Sequence, residues 1–300
     1  HTAYSIWHMA YGIQHMAYSI WHMAYSIFVI YPMSNITDAA MPDLVLSELQ
    51  DAICTITLNR PDKRNALNAD VVRELQAAFD AAEQDDSVRV IVLTGEGSAF
   101  CAGADLAYLQ AINTNNVMEN AEDSASLMRL MYSIRSCVKP TIARLNGHAI
   151  AGGCGLALTC DILIAVEDAK LGFTEVRIGF VPAIVMKLLM ERAHPGHARE
   201  LLIRGNLIDA AQAFEYGLLN HVVSAERLDD TVYGIARDIA TETSPQAVSM
   251  TKQLLLDIAQ RDLEGAMHFA SRQNAISRET KDFGKGIGSF LKKEKPEWKE

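Results

Sequence analysis

Cysteine is scarce and odd in number: Cys54, Cys101, Cys137, Cys154 and Cys160 lie in apolar surroundings with no CxxC spacing. That argues against a disulfide framework, and it reads as a reduced, intracellular chain without a metal-thiolate site. Positive charge is in deficit, with 27 Lys and Arg against 37 Asp and Glu and a formal net charge of −10. Such a chain is a poor general binder of nucleic acid or of an anionic membrane, so any polyanionic ligand must be met by a local basic cluster. No apolar run is long enough to span a bilayer. The common phosphate and nucleophile signatures are missing as well. From Gly153 and Gly155 a GxGxxG fingerprint would need glycine where Leu158 stands, and no GxxxxGK[ST], GxSxG or HExxH occurs.

What is present is a chain of 300 residues, 49% apolar and 21% charged, enough for one large domain or two smaller ones. Residues 1–28 stand apart as four near-copies of a seven-residue unit, HTAYSIW, HMAYGIQ, HMAYSIW and HMAYSIF. Their apolar side chains fall all round a helix instead of along one seam, and there is no basic segment of the kind that opens a signal peptide. The regularly spaced histidines suggest metal binding. The plainer reading is a disordered extension over residues 1–40, or a start-site artefact upstream of Met33 or Met41, because so repetitive a tract has no partner face to bury. The folded domain is expected over residues 41–300, with a core to about residue 235 and a helical region over 236–300.

Within it, residues 44–49 and 52–58 read as paired strands, 60–65 as a turn-rich loop, and Val71, Leu75, Ala78, Phe79 and Ala82 as a helix face behind an Asn68 cap. Val88–Leu93 is a strand of nearly continuous apolar character. A helix over 119–137 has Leu127, Leu130, Met131 and Ile134 on its inner face. The central stretch is TIARLNGHAIAGGCGLALTCDILIAV, residues 141–166, read as a strand, a glycine turn, a short helix and a further strand. From about Pro182 helix follows helix, over 209–217, 225–241 and 245–277. The alternation of strand and helix ahead of a helical tail indicates an α/β core with a helical C-terminal region.

Two glycine turns, Gly103-Ala104 and Gly152-Gly153, each follow a strand and open a helix. Free N–H groups from both can converge on one oxygen, or both turns can serve packing alone. Glu175, in GFTEVRIGF, has apolar neighbours that would raise its pKa and suit it to proton transfer at carbon; the alternatives are a solvated loop acid or a partner for Arg177. His148 reads as a hydrogen-bonded packing residue.

LNRPDKRNAL, AFCAGADL, KPTIARLNGHAIAGGCGLALTCDILIA and LGFTEVRIGF, in this order and spacing, resemble the enoyl-CoA hydratase/isomerase (crotonase) family from about Leu44 to the end. The resemblance implies a core of repeated ββα units with a trimer-forming helical C-terminus, a homotrimer or hexamer, and a cytoplasmic enzyme with no cofactor beyond the coenzyme A of its acyl-CoA substrate. It implies a thioester oxygen held by the N–H groups of Ala104 and Gly152, with Glu175 as acid/base and Ala102, Asp105, Leu106 and Gly153 in contact with substrate. For the coenzyme A phosphates it implies Arg60, Lys63 and Arg64, with the backbone near Ala66 beside the adenine or pantetheine, and Phe290 and Lys293 from GIGSFLKKEKPEW. The acyl pocket is expected from residues 107–131 and 183–190. Where the family's hydratases carry a first glutamate, this chain has Gly155. Hydration with Glu175 alone, as in the similar methylglutaconyl-CoA hydratase-like subgroup, stands ahead of double-bond isomerisation, and a non-catalytic CoA-binding scaffold is the rival of another class.

Overall fold

The computed structural model describes residues 43–298, so the heptapeptide repeat and the expected boundary near residue 40 lie outside the described residues. The described chain opens with an antiparallel hairpin, β1 (Val45–Gln50) and β2 (Ile53–Leu58), whose turn residues Asp51 and Ala52 both take positive φ. Helix α1 (Ala69–Gln84) starts where Asn68 Oδ1 accepts from the Val71 N–H at 3.0 Å. Val71, Leu75, Phe79 and Ala82 form its buried stripe, as their spacing requires. β3 (Val90–Gly95) is buried along its whole length, the condition its unbroken apolar run needs.

A three-residue strand, β4 (Ala99–Cys101), then leads to α2 (Leu106–Ile112), and a capping box at Asn116 and Glu119 opens α3 (Val117–Ser136). β5 (Thr141–Leu145) and β6 (His148–Ile150) precede α4 (Gly152–Leu158). β7 (Ile162–Val166) and β8 (Lys170–Gly172) precede a 3₁₀ turn, Glu175–Ile178, and α5 (Ala183–Arg192). The chain continues through α6 (Pro195–Arg204), β9 (Leu207–Asp209), α7 (Ala210–Glu215), β10 (His221–Val223), α8 (Leu228–Glu242), α9 (Pro245–Ile258), α10 (Leu263–Ser277) and α11 (Lys281–Lys292).

The strands make a six-stranded sheet in the order β1-β2-β3-β5-β7-β10, parallel apart from β1, and a four-stranded sheet β4-β6-β8-β9. Each long strand β3, β5 and β7 thus hands the chain to a short strand of the second sheet and then to a helix or 3₁₀ turn, which is the repeated ββα unit. The single strand expected ahead of Gly152 is therefore two strands in two sheets. The chain turns between them at Asn146-Gly147, where a Cβ on Gly147 would stand 2.2 Å from the Ser98 carbonyl oxygen. Only glycine lets the two loops touch.

Two further differences concern the C-terminal half. β9 and β10 interrupt the expected run of helices, and the stretch 245–277 is two helices, because Asp262 Oδ1 accepts from the Gly265 N–H at 2.7 Å and starts α10 anew. α8 buries Leu228, Val232, Ala236 and Ala240 against the main sheet. α9 is anchored by buried Lys252, whose Nζ lies 2.7 Å from Asp161 Oδ2 and donates to the Lys139 carbonyl at 2.7 Å. No residue of α10 or α11 is fully buried. Among the described residues no helix is long and apolar enough to cross a membrane.

Candidate active site

The loop LNRPDKRNAL is a brace for the first glycine turn. Asn65 is buried at a φ of 58°; its side-chain amide donates to the carbonyls of Glu96 at 2.9 Å and Ala99 at 2.8 Å. The Ala102 N–H donates to the Arg64 carbonyl, the Leu67 N–H to Gly103, and the Asp105 N–H to Leu67, at 2.7 to 2.9 Å. Leu67 and Ala104 form a parallel bridge in which Leu67 uses the groups on either side of Ala104. In that geometry the Ala104 N–H itself points the opposite way. Ala104 lines a cavity of about 830 Å³ together with Ala102, Gly152, Thr174 and Glu175.

The second turn lies against the first. A Cβ on Gly103, at a φ of 88°, would stand 2.8 Å from the Ile150 carbonyl oxygen and 3.6 Å from the Gly152 nitrogen. One on Gly153 would stand 2.3 Å from the Cys101 carbonyl oxygen. Both glycines are therefore required by the approach of β4 to the start of α4. Ahead of Gly152, Ala151 takes φ 52° and ψ −123°, a conformation a side chain rarely adopts, and is held there by its N–H donating to the Gly172 carbonyl at 2.7 Å. Gly152 is the first residue of its helix, so its N–H has no partner within the helix. The packing reading holds for these turns, and their close approach sets Ala104 and Gly152 in the lining of one cavity.

Glu175 begins the 3₁₀ turn after β8. It is only 7% exposed, and its Oε2 has no hydrogen-bond partner. Burial pushes its carboxyl pKa above the ordinary glutamate value, against the weaker opposing pull of its own backbone N–H. Arg177 is not its partner, since that guanidinium turns to the Arg204 carbonyl at 3.4 Å. Nor is a second carboxylate possible at position 155 without rearrangement. A Cβ on Gly155 would stand 2.1 Å from Val185 Cγ1 and 3.3 Å from Met131 Cε, so α5 and α3 fill that place with hydrocarbon.

The other expected site residues separate into three groups. Arg60 and Asp105 are paired with each other at 3.1 Å and largely buried, and Arg60 also donates to the Ala66 carbonyl at 2.6 Å. Both are engaged in holding the loop to the turn; Ala66 is buried beneath them. Lys63 and Arg64 are exposed beside it, and Leu106, also exposed, lines the cavity. Phe290 and Lys293, at the end of α11, are not among the cavity-lining residues. The expected pocket wall over 107–131 is present in Tyr108, Leu109, Asp123 and Leu127. Over 183–190 only Ala183, Ile184 and Val185 contribute, with Ile178, Phe180 and Val181 before them. The apolar run after Glu175, IGFVP, was the available signal for that wall. Loop residue Asn68 and helix residue Val72 also line it, without a sequence cue. His148 is exposed and accepts from the Lys170 N–H at 3.1 Å. The cysteines are buried free thiols, with Cys101, Cys154 and Cys160 pushed up to about 12 by burial.

Residues 48–300 match the family model described as enoyl-CoA hydratase/isomerase. The chain belongs to the enoyl-CoA hydratase/isomerase family. Among curated relatives of this family, a Thermus thermophilus protein bearing an enoyl-CoA hydratase name is 40% identical over 244 residues, 81% of this chain and 96% of its own. The crotonyl-CoA hydratase of Syntrophomonas wolfei is 34% identical over 84% of this chain and 96% of its own. The 1,2-epoxyphenylacetyl-CoA isomerase of Escherichia coli is 30% identical over 86% of this chain and 99% of its own. A crystal structure of an enoyl-CoA hydratase from Mycobacterium smegmatis superimposes with a TM-score of 0.81 at 32% identity, covering 85% of this chain and 98% of that one. The fold is the crotonase fold of the family.

Proposed function

We propose that the chain is a 2-enoyl-CoA hydratase that works with one carboxylate. The observation that carries this is the buried Glu175 with its unpartnered Oε2, in one apolar cavity with the two glycine turns. The thioester carbonyl oxygen lies between the N–H groups of Ala104 and Gly152. As water adds through its oxygen to C3, Glu175 takes the water proton, and the electron pair of the double bond moves to the thioester oxygen as an enolate. Protonated Glu175 then returns that proton to C2, so that one water is added in balance. A carboxyl whose pKa is raised by burial suits both halves of this exchange. Ala102, Asp105, Leu106 and Gly153 shape the two turns around the thioester. Exposed Lys63 and Arg64 are the cations available to the coenzyme A phosphates beside them. Homo-oligomer formation is supported by the exposed apolar side chains Leu263, Met267, Phe283, Ile287 and Phe290 on α10 and α11.

Isomerisation is the second reading, favoured by the hydrocarbon in the place of a second carboxylate. Glu175 would then move one proton from C2 to C4. Purified protein given a 2-enoyl-CoA and a 3-enoyl-CoA in ¹⁸O-labelled water distinguishes the two. Label in a 3-hydroxyacyl product is expected; double-bond migration without label overturns hydration, and tight acyl-CoA binding with neither reaction overturns catalysis.

A further inference from the structure

Part of the cavity wall comes from α2 and α3, and its charged side chains are mostly acidic. Glu119, Glu122 and Asp123 line it, with Arg129 the cation that lines it among the described residues. Arg129 is already paired, its Nη2 lying 2.6 Å from Glu122 Oε1. Glu119 closes the capping box by accepting from the Asn116 N–H at 2.8 Å. The Tyr108 hydroxyl donates to Asp123 Oδ1, tying α2 to α3, and burial together with that carboxylate pushes the phenol pKa up to about 12.

Two things make this more than a surface patch of acids. The same cavity holds Glu175, 93% buried by its 7% exposure, whose Oε2 lacks a hydrogen-bond partner in the protein. Leu67, Val72, Leu109, Leu127 and Ile184 supply hydrocarbon to its lining, and its other polar side chains, such as Asn68, Ser124 and Thr174, carry no charge. With the thioester at Ala104 and Gly152, the polyphosphate end of coenzyme A belongs outside this wall, near exposed Lys63 and Arg64. The acyl group is the part that meets Tyr108, Asp123 and their neighbours.

We propose that Glu119, Glu122 and Asp123 make the cavity selective for uncharged acyl groups, so that thioesters whose acyl chain ends in a second carboxylate are poor substrates. A terminal carboxylate would approach Glu119 and Asp123, with Glu122 already paired to Arg129 and no unpaired cation lining the wall to receive it, and like-charge juxtaposition is the repulsive element from which specificity is built. This rests on the enoyl-CoA reading above, and it sets the chain apart from enzymes acting on methylglutaconyl-CoA, whose acyl chain carries such a carboxylate.

The test compares kcat/KM of the full-length protein for crotonyl-CoA and for glutaconyl-CoA, whose acyl chain ends in a carboxylate. Crotonyl-CoA is expected to be favoured by at least about tenfold, the order one or two partly screened charges produce. The preference should shrink as salt is raised. Glu122→Gln, which also frees Arg129, and Asp123→Asn, which keeps an acceptor for Tyr108, should each narrow the ratio severalfold, with melting curves showing both variants folded. Equal or better use of glutaconyl-CoA by the parent protein, or a ratio unmoved by salt and by both substitutions, overturns the proposal. If neither thioester is turned over, the enoyl-CoA reading has failed instead. Calorimetric affinities for butyryl-CoA and glutaryl-CoA then decide the selectivity alone: tighter butyryl-CoA binding upholds it, and equal or weaker binding refutes it.

Discussion

Glu175→Gln should change activity and stability in opposite directions. Glu175 Oε2 is buried without a hydrogen-bond partner, so the folded protein bears the cost of holding that carboxylate out of water. An amide of the same shape carries no charge, and the substitution should stabilise the fold at neutral pH by about 1 to 2 kcal/mol, the usual penalty of an unsatisfied buried group. For a domain of this size that is a rise in Tm of roughly 2 to 6 °C. The pH dependence follows from the direction of the pKa shift. Because burial raises the carboxyl pKa above its unfolded value near 4.5, the folded state holds the proton more tightly. The destabilisation is absent at pH values below the unfolded pKa, grows as pH rises from there, and is complete above the raised folded pKa. Parent and variant should therefore melt alike near about pH 4 and diverge toward about pH 8. Over the same comparison kcat should fall by roughly 10² to 10⁴, since the amide cannot exchange a proton with water or C2. Calorimetric melting at several pH values and a spectrophotometric enoyl-CoA assay read both effects. A variant that is less stable at neutral pH, or that keeps more than about a tenth of the turnover, refutes the reasoning.

Gly153→Ala would put a methyl 2.3 Å from the Cys101 carbonyl oxygen and force the two turns apart. A loss of about 1 to 3 kcal/mol by denaturant titration is expected, with turnover down by about a hundredfold. Gly155→Ala meets Val185 Cγ1 at 2.1 Å, so alone it should destabilise. Combined with Val185→Ala it should cost less than the sum of the single changes by at least about 1 kcal/mol, and strict additivity would show that the two do not share the space. Lys252→Ala removes a 6%-exposed cation from Asp161 and should cost about 3 kcal/mol in the same titration, with little change in KM if its work is to anchor α9.

Elements whose signal lies within a few residues were legible in the sequence. α1 needed only the Asn68 cap and a stripe at Val71, Leu75 and Phe79. β3 needed only its unbroken apolar run. β4, β6 and β8 were not legible, because three residues are too few to show a period of two. Arg60 was expected at a phosphate because its charge is local information. That it pairs with Asp105, 45 residues on, is not. Tyr108 and Asp123 likewise fall within the range expected for the acyl wall, yet their bond depends on how α2 and α3 are set side by side.

The sequence by itself determined the caps, the buried strands, the apolar setting of Glu175 and, through four ordered motifs, the family. These depend on side-chain chemistry and spacing along the chain. Tertiary structure alone decided that the Gly103 and Gly152 turns touch, that Val185 fills the space beside Gly155, and that the acidic face of α3 looks into the cavity. Those contacts join segments tens of residues apart. They are set by the parallel registers of β4 with β6 and of β6 with β8, which fix where each following turn and helix begins.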